Sequence, residues 1–185
     1  MLQDAYRTYR GGCMMLFYRA EAGVYFLGSA FLIHDNGYLL TVAHILHQKE
    51  NLMVAPGAID EDFVNLSMET VAPIPVEIAQ MNTERDLALL KFKNPPEITV
   101  PDHIIGNSID ISVGSTVAAI GFPYGYEKLH SQFILQAVIS AKIVSQNDTR
   151  LLLFDTMIHD GSRGGPLINV HDGRVVGVRS EEHTS

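Results

Sequence analysis

The sequence contains no tryptophan and a single cysteine, Cys13. One thiol cannot close a bond within the chain, so the fold must stand on packing alone. Cys13 lies in an apolar run, where it reads as a small buried hydrophobe and not as a nucleophile. Cations are in deficit: 13 Lys and Arg face 21 Asp and Glu, for a net charge of −8. That balance excludes non-specific attraction to nucleic acid, which needs a cationic face, and the scattered acids read as a solvated surface. No apolar run approaches the roughly 18 residues of a membrane span. The N-terminal stretch MLQDAYRTYRGG holds no apolar core of the signal-peptide kind. The chain as written is therefore expected in the cytoplasm, with an extracytoplasmic parent if the true N-terminus lies upstream.

What is present is an ordinary globular balance over 185 residues, 46% of them apolar and 18% charged. No segment carries a sustained helical stripe, and there are no repeats. Short β-branched and aromatic runs recur instead, separated by Gly, Asn, Asp and Pro. Strands are expected at 13–19, 24–33, 38–41, 52–55, 76–81, 87–92, 116–121, 133–144, 151–154, 166–170 and 174–178. Tight hairpins are expected at His34-Asp35-Asn36-Gly37 and His171-Asp172-Gly173. A single helical turn is expected at 43–47. The proline-rich stretch from Asn94-Pro95-Pro96 to Pro101-Asp102 reads as a connector between two β-rich portions.

Three segments carry chemistry. In Leu40-Thr41-Val42-Ala43-His44 a histidine follows the end of an apolar strand; alone, such a residue is more often structural. In Thr83-Glu84-Arg85-Asp86-Leu87-Ala88-Leu89-Leu90 an aspartate stands at the mouth of a strand; alone, it is usually a turn residue. In Asp160-Gly161-Ser162-Arg163-Gly164-Gly165-Pro166 a glycine-dense loop precedes a strand; alone, it is any tight turn.

In that order the three resemble the trypsin-like, chymotrypsin-fold serine proteases, specifically the HtrA/Deg branch. Gly28-Ser29-Ala30-Phe31-Leu32-Ile33 and Asp35-Asn36-Gly37-Tyr38 are similar to the family's approach to its histidine. The run from Gly114 to Gly125 is similar to the opening of its second barrel, and Asp155 stands eight residues before Arg163 as the family places its own aspartate. The resemblance implies an all-β fold of two six-stranded-type antiparallel barrels. The first would span 12–100 and carry His44 and Asp86; the second, at 101–178, would carry the glycine loop and be incomplete at its C-terminal side. It implies a polypeptide substrate or peptide ligand, with no metal and no cofactor. His44 would be the general base and Asp86 the carboxylate that orients it. The backbone N–H groups of Gly161 and Arg163 would form the oxyanion hole.

One position departs from the pattern. The family reads Gly-Asn-Ser-Gly-Gly-Pro or Gly-Asp-Ser-Gly-Gly-Pro, and Arg163 stands where the nucleophilic serine belongs. A guanidinium stays protonated and cannot attack a carbonyl. It is also expected to sit near His44 and to compete for Asp86. A single base separates some serine and arginine codons, so the expected parent is a serine endopeptidase whose nucleophile is lost here. The alternative is a pseudoprotease that binds extended peptide without cutting it. Ser162, one residue away, reads as a loop-bracing hydroxyl, since a one-residue slip misaligns a nucleophile; replacement of the nucleophile by Ser162 is the weaker alternative. Met157 and Ile158 match the floor of the family's primary pocket and would favour an apolar side chain, or else they are ordinary core residues. The run Arg179–Ser185 turns abruptly polar and matches the translation of a common sequencing adapter, so 179–185 is expected to be a non-native tail.

Overall fold

The computed structural model describes residues 1–57, 63, 72–156 and 159–180. Among them are eleven strands: β1 (Cys13–Ala20), β2 (Gly23–His34), β3 (Tyr38–Thr41), β4 (Leu52–Pro56), β5 (Ile74–Asn82), β6 (Leu87–Phe92), β7 (Thr116–Gly121), β8 (Phe133–Val144), β9 (Arg150–Phe154), β10 (Pro166–Asn169) and β11 (Val175–Val178). Strands β3, β6, β7 and β8 occupy the expected residues, and the other seven differ by one or two at an end.

The first six strands close a barrel in the order β1-β2-β3-β6-β5-β4, every pair antiparallel. The other five form an antiparallel sheet in the order β11-β10-β7-β8-β9. This is the all-β, chymotrypsin-like arrangement, with five strands in the second unit among the described residues. Between β6 and β7 the proline-rich connector forms no strand, and Asp35 ties it to the first barrel by accepting the Val100 N–H at 2.6 Å.

Continuous apolar runs arise where a strand is covered on both faces. Along β1, Met14 and Leu16 point into the barrel with Leu32, Leu39, Leu90 and Phe92. The alternate residues Cys13, Met15 and Phe17 point outward, against Ile120, Phe122 and Ile168 of the second unit. A period of two puts neighbours on opposite faces, so a strand between two cores needs apolar residues at every position. Strand β7 repeats the arrangement: Ala118 and Ile120 face that shared core, and Val117 and Ala119 face a third one with Ile139 and Leu167. The barrel and the sheet are welded by this middle layer.

The hairpin after β2 turns on Gly37 at φ +83°, with Tyr38 opposite His34. Three residues span the turn, so only the glycine needs the left-handed region. One element departs from expectation. Leu2–Tyr9 forms a two-turn helix, α1, packed against β7. Ala5 and Tyr9, four residues apart, are its buried positions. Two buried positions in eight residues make no stripe that a periodicity reading detects. The Tyr9 hydroxyl donates to the Gly173 carbonyl at 2.6 Å. Burial, with the charge of Asp172, pushes its pKa up to about 12. No helix among the described residues is long and apolar enough to cross a membrane.

Candidate active site

The pairing of β3 with β6 decides where the histidine and the aspartate meet. Thr41, the last residue of β3, lies opposite Ala88, near the start of β6. Chain leaving β3 therefore emerges beside chain entering β6. One 3-10 turn, His44–Leu46, follows β3, close to the expected 43–47. Asp86 precedes β6 at φ +54°, a left-handed conformation that aspartate tolerates better than most residues. His44 Nδ1 lies 2.7 Å from Asp86 Oδ2, and the backbone N–H of His44 donates to Asp86 Oδ1 at 2.8 Å. A third bond runs from the Ala43 N–H to the Asp86 carbonyl at 3.3 Å. Both side chains are about one-fifth exposed, at 20% and 19%. The imidazole is thus fixed in tautomer and in direction, with one ring nitrogen committed to the carboxylate.

Ser180 completes the surroundings of Asp86, donating its hydroxyl to Oδ2 at 2.9 Å. Arg179, the residue before it, is buried and exchanges backbone hydrogen bonds with the elbow, Gly164 N–H to its carbonyl and its N–H to Gly165, each 2.8 Å. The polar run set apart in the sequence thus begins inside the packed structure, and residues 181–185 lie outside the described residues. Nothing in the sequence singled out Ser180, because its partner is 94 residues away.

The glycine loop forms an elbow between β9 and β10. A 3-10 turn covers Asp160–Ser162, and the chain then passes through Gly164 at φ +89°. A Cβ on Gly161 would stand 2.1 Å from the Phe122 carbonyl oxygen, and one on Gly165 2.0 Å from that of Ile120. The backbone approaches its neighbours so closely that no other residue fits. Arg163 sits at the apex. Its Nη2 donates to Asp160 Oδ1 at 2.8 Å, so a carboxylate three residues back engages the guanidinium. Its N–H donates to the Asp160 carbonyl at 3.2 Å. In this geometry that amide is spent within the turn.

Ser162 is buried, 2% exposed, and packs where a Cβ on Gly121 would touch it at 2.9 Å. The Tyr124 ring leans on His159, next to the elbow in sequence, at 5.0 Å and on Phe133 at 5.3 Å. Met157 and Ile158 lie outside the described residues.

Residues 28–178 match the family model described as a trypsin-like peptidase domain. The chain belongs to the trypsin-like peptidases. Within them it is of HtrA type. It is 35% identical over 161 residues to a probable periplasmic serine endoprotease DegP-like of Pseudomonas savastanoi pv. phaseolicola, and 31% identical over 160 residues to that of Halomonas elongata. Each match covers 85% of this chain but only 29% and 30% of the relative, so the chain spans about three-tenths of the length of those proteins. Among solved structures it is similar to the serine endoprotease from Yersinia pestis, at a TM-score of 0.70 and 25% identity over 96% of this chain and 56% of that one. It also shares its fold with the HtrA-type protease AlgW with decapeptide, at a TM-score of 0.75 and 20% identity over 100% of this chain and 60% of that one.

Proposed function

We propose that this chain is a serine endopeptidase domain whose chemistry is silenced by Arg163, and that its parent hydrolyses peptide bonds with a serine at that position. The 2.7 Å approach of His44 Nδ1 to Asp86 Oδ2 carries the reading. A carboxylate so placed holds the imidazole with its other nitrogen available to a nucleophile, and stabilises the imidazolium formed when a proton is taken. With serine at 163, His44 removes the hydroxyl proton as oxygen attacks the carbonyl carbon, then delivers it to the leaving amine. The N–H groups of Gly161 and residue 163 receive the developing oxyanion, each worth about 3 kcal/mol, once the latter is released from the Asp160 carbonyl. The domain from 12 to 100 supplies the base pair, and that from 101 to 178 supplies the elbow. The apolar types of Met157 and Ile158, at the places the resemblance gives to the pocket floor, favour an apolar side chain before the cut. The periplasmic naming of the relatives supports a parent that works outside the cytoplasm.

A second reading, a peptide-binding pseudoprotease, is favoured by one observation. Arg163 is accommodated by Asp160 within an elbow whose backbone bonding is whole. Arg163→Ser separates the two. The expected result is labelling by a fluorophosphonate and cleavage of casein by the substituted chain, with neither in the unsubstituted one. A substituted chain that stays unlabelled and inert while still folded overturns the hydrolase reading. Labelling of the unsubstituted chain would transfer the chemistry to Ser162.

A further inference from the structure

The segment that presents Asp86 is held from a direction the mechanism does not use. Asp86 adopts its left-handed backbone at the end of the turn Asn82–Asp86. Such a conformation costs roughly 1 kcal/mol in an L-residue and persists where its surroundings over-determine it. Within the turn, Asn82 Oδ1 accepts the Arg85 N–H at 3.0 Å, and the Asp86 N–H reaches the Thr83 carbonyl at 3.4 Å. Asp86 itself is held by the Ala43 and His44 N–H groups and the Ser180 hydroxyl, and the turn before it gains a further restraint from the other unit. The tip of the β8–β9 hairpin, Ser145–Thr149, lies against this turn. Asn147 Nδ2 donates to the Glu84 carbonyl, and the Arg85 guanidinium donates to the Asp148 carbonyl at 3.5 Å.

The hairpin tip is built to aim that amide. Ser145 and Thr149 pair through their backbones at 2.9 Å, the Asp148 N–H bonds the Ser145 carbonyl at 3.0 Å, and Asp148 takes φ +61°. The Ser145 hydroxyl donates to Asn147 Oδ1, which leaves the NH2 end of the amide directed at Glu84. Glu84, Arg85, Asn147 and Asp148 are all exposed. Water competes for each of these bonds, so the joint is one that opens and closes at small cost.

We infer that Asn147 is a positioning residue for Asp86, and that the β8–β9 hairpin sets how firmly the carboxylate holds His44. The inference deepens the proposed hydrolase reading, on which the role of Asp86 rests. A hairpin drawn away from the first barrel releases Glu84, slackens the turn and loosens the grip of Asp86 on the imidazole.

The test uses the 185-residue chain with Arg163 in place, where no turnover is needed. The Nδ1 proton shared by His44 and Asp86 is followed by proton NMR, together with its exchange with solvent. Asn147→Asp keeps the shape and removes the donor, and is expected to speed that exchange at least about threefold, as local opening becomes easier. Asn147→Gln keeps an amide donor and is expected to stay nearer the unsubstituted rate. An unchanged rate in Asn147→Asp overturns the proposal, and it does so even if the amides of 145–149 lose protection, since an open hairpin must loosen His44. Equal acceleration by both substitutions also overturns it. In an Arg163→Ser background, Asn147→Asp is expected to lower kcat several-fold with KM unchanged. Failure of Arg163→Ser to turn over at all would sink the hydrolase reading and leave the NMR comparison standing.

Discussion

Ser29 of the first barrel and Arg163 of the elbow are joined by a hydrogen bond of 2.8 Å, from the amide of one to the carbonyl of the other. The Ser29 hydroxyl adds a second link, donating to the Gly161 carbonyl at 2.9 Å, and its own carbonyl accepts the Thr41 hydroxyl at 2.8 Å. Ser29 is fully buried. Ser29→Ala leaves the Gly161 carbonyl without that donor in a place closed to water, a loss of about 1–3 kcal/mol. The urea midpoint of unfolding is expected to fall by the corresponding amount. A midpoint unchanged within error would mean the elbow does not depend on this link.

Asp86→Asn isolates the charge of the carboxylate from its geometry. Asparagine accepts the left-handed backbone of residue 86 and retains an acceptor for the His44 N–H. In the Arg163→Ser chain, kcat for a peptide substrate is expected to drop on the order of 10⁴-fold, because the amide no longer supports an imidazolium. A loss smaller than tenfold would mean Asp86 is not the orienting acid.

Gly165→Ala tests the close approach of the elbow to β7. The added methyl would lie 2.0 Å from the Ile120 carbonyl oxygen, a backbone atom that cannot step aside. Overpacking of this kind costs about 3 kcal/mol, visible as a lowered thermal midpoint. Gly11→Ala is the control, since nothing lies within 4 Å of the added atom. Equal effects at the two sites would contradict the packing argument.

Cys13 is 1% exposed, and burial pushes its thiol pKa well above the ordinary range. Ellman's reagent is expected to leave the native protein untouched at pH 8 and to titrate one thiol in concentrated guanidinium. Tyr9 adds an alkaline signature. Its folded pKa is raised to about 12 from the ordinary 10. Between these values the unfolded chain releases the proton more readily, so stability is intact below pH 10 and declines as pH rises toward 12. Tyr9→Phe is expected to flatten that part of the decline in urea titrations run at successive pH values.

Local pattern carried much of the fold. β3, β6, β7 and β8 are runs of β-branched and apolar residues bounded by turn formers, and they stand where those signals put them. His44, Asp86 and the elbow were legible because their types, order and flanking strands form one pattern. The helix α1 was not, since two buried side chains in eight residues leave no period to read. Ser29 lies within the run Gly28–Ile33 that leads toward His44, yet its bonds to the elbow 132 residues away have no local signature.

By itself, then, the sequence determined which segments are strands, that no disulfide closes within these 185 residues, and that arginine occupies the apex of the elbow. These follow from side-chain chemistry and from spacing over a few residues. Only the tertiary structure decided that β3 ends beside the start of β6, that Asp160 answers the Arg163 guanidinium, and that Asn147 reaches the turn carrying Asp86. Closing a barrel and welding it to a second sheet brings distant backbone groups within hydrogen-bonding reach, and that distance is a property of the closed surface, not of any stretch of chain.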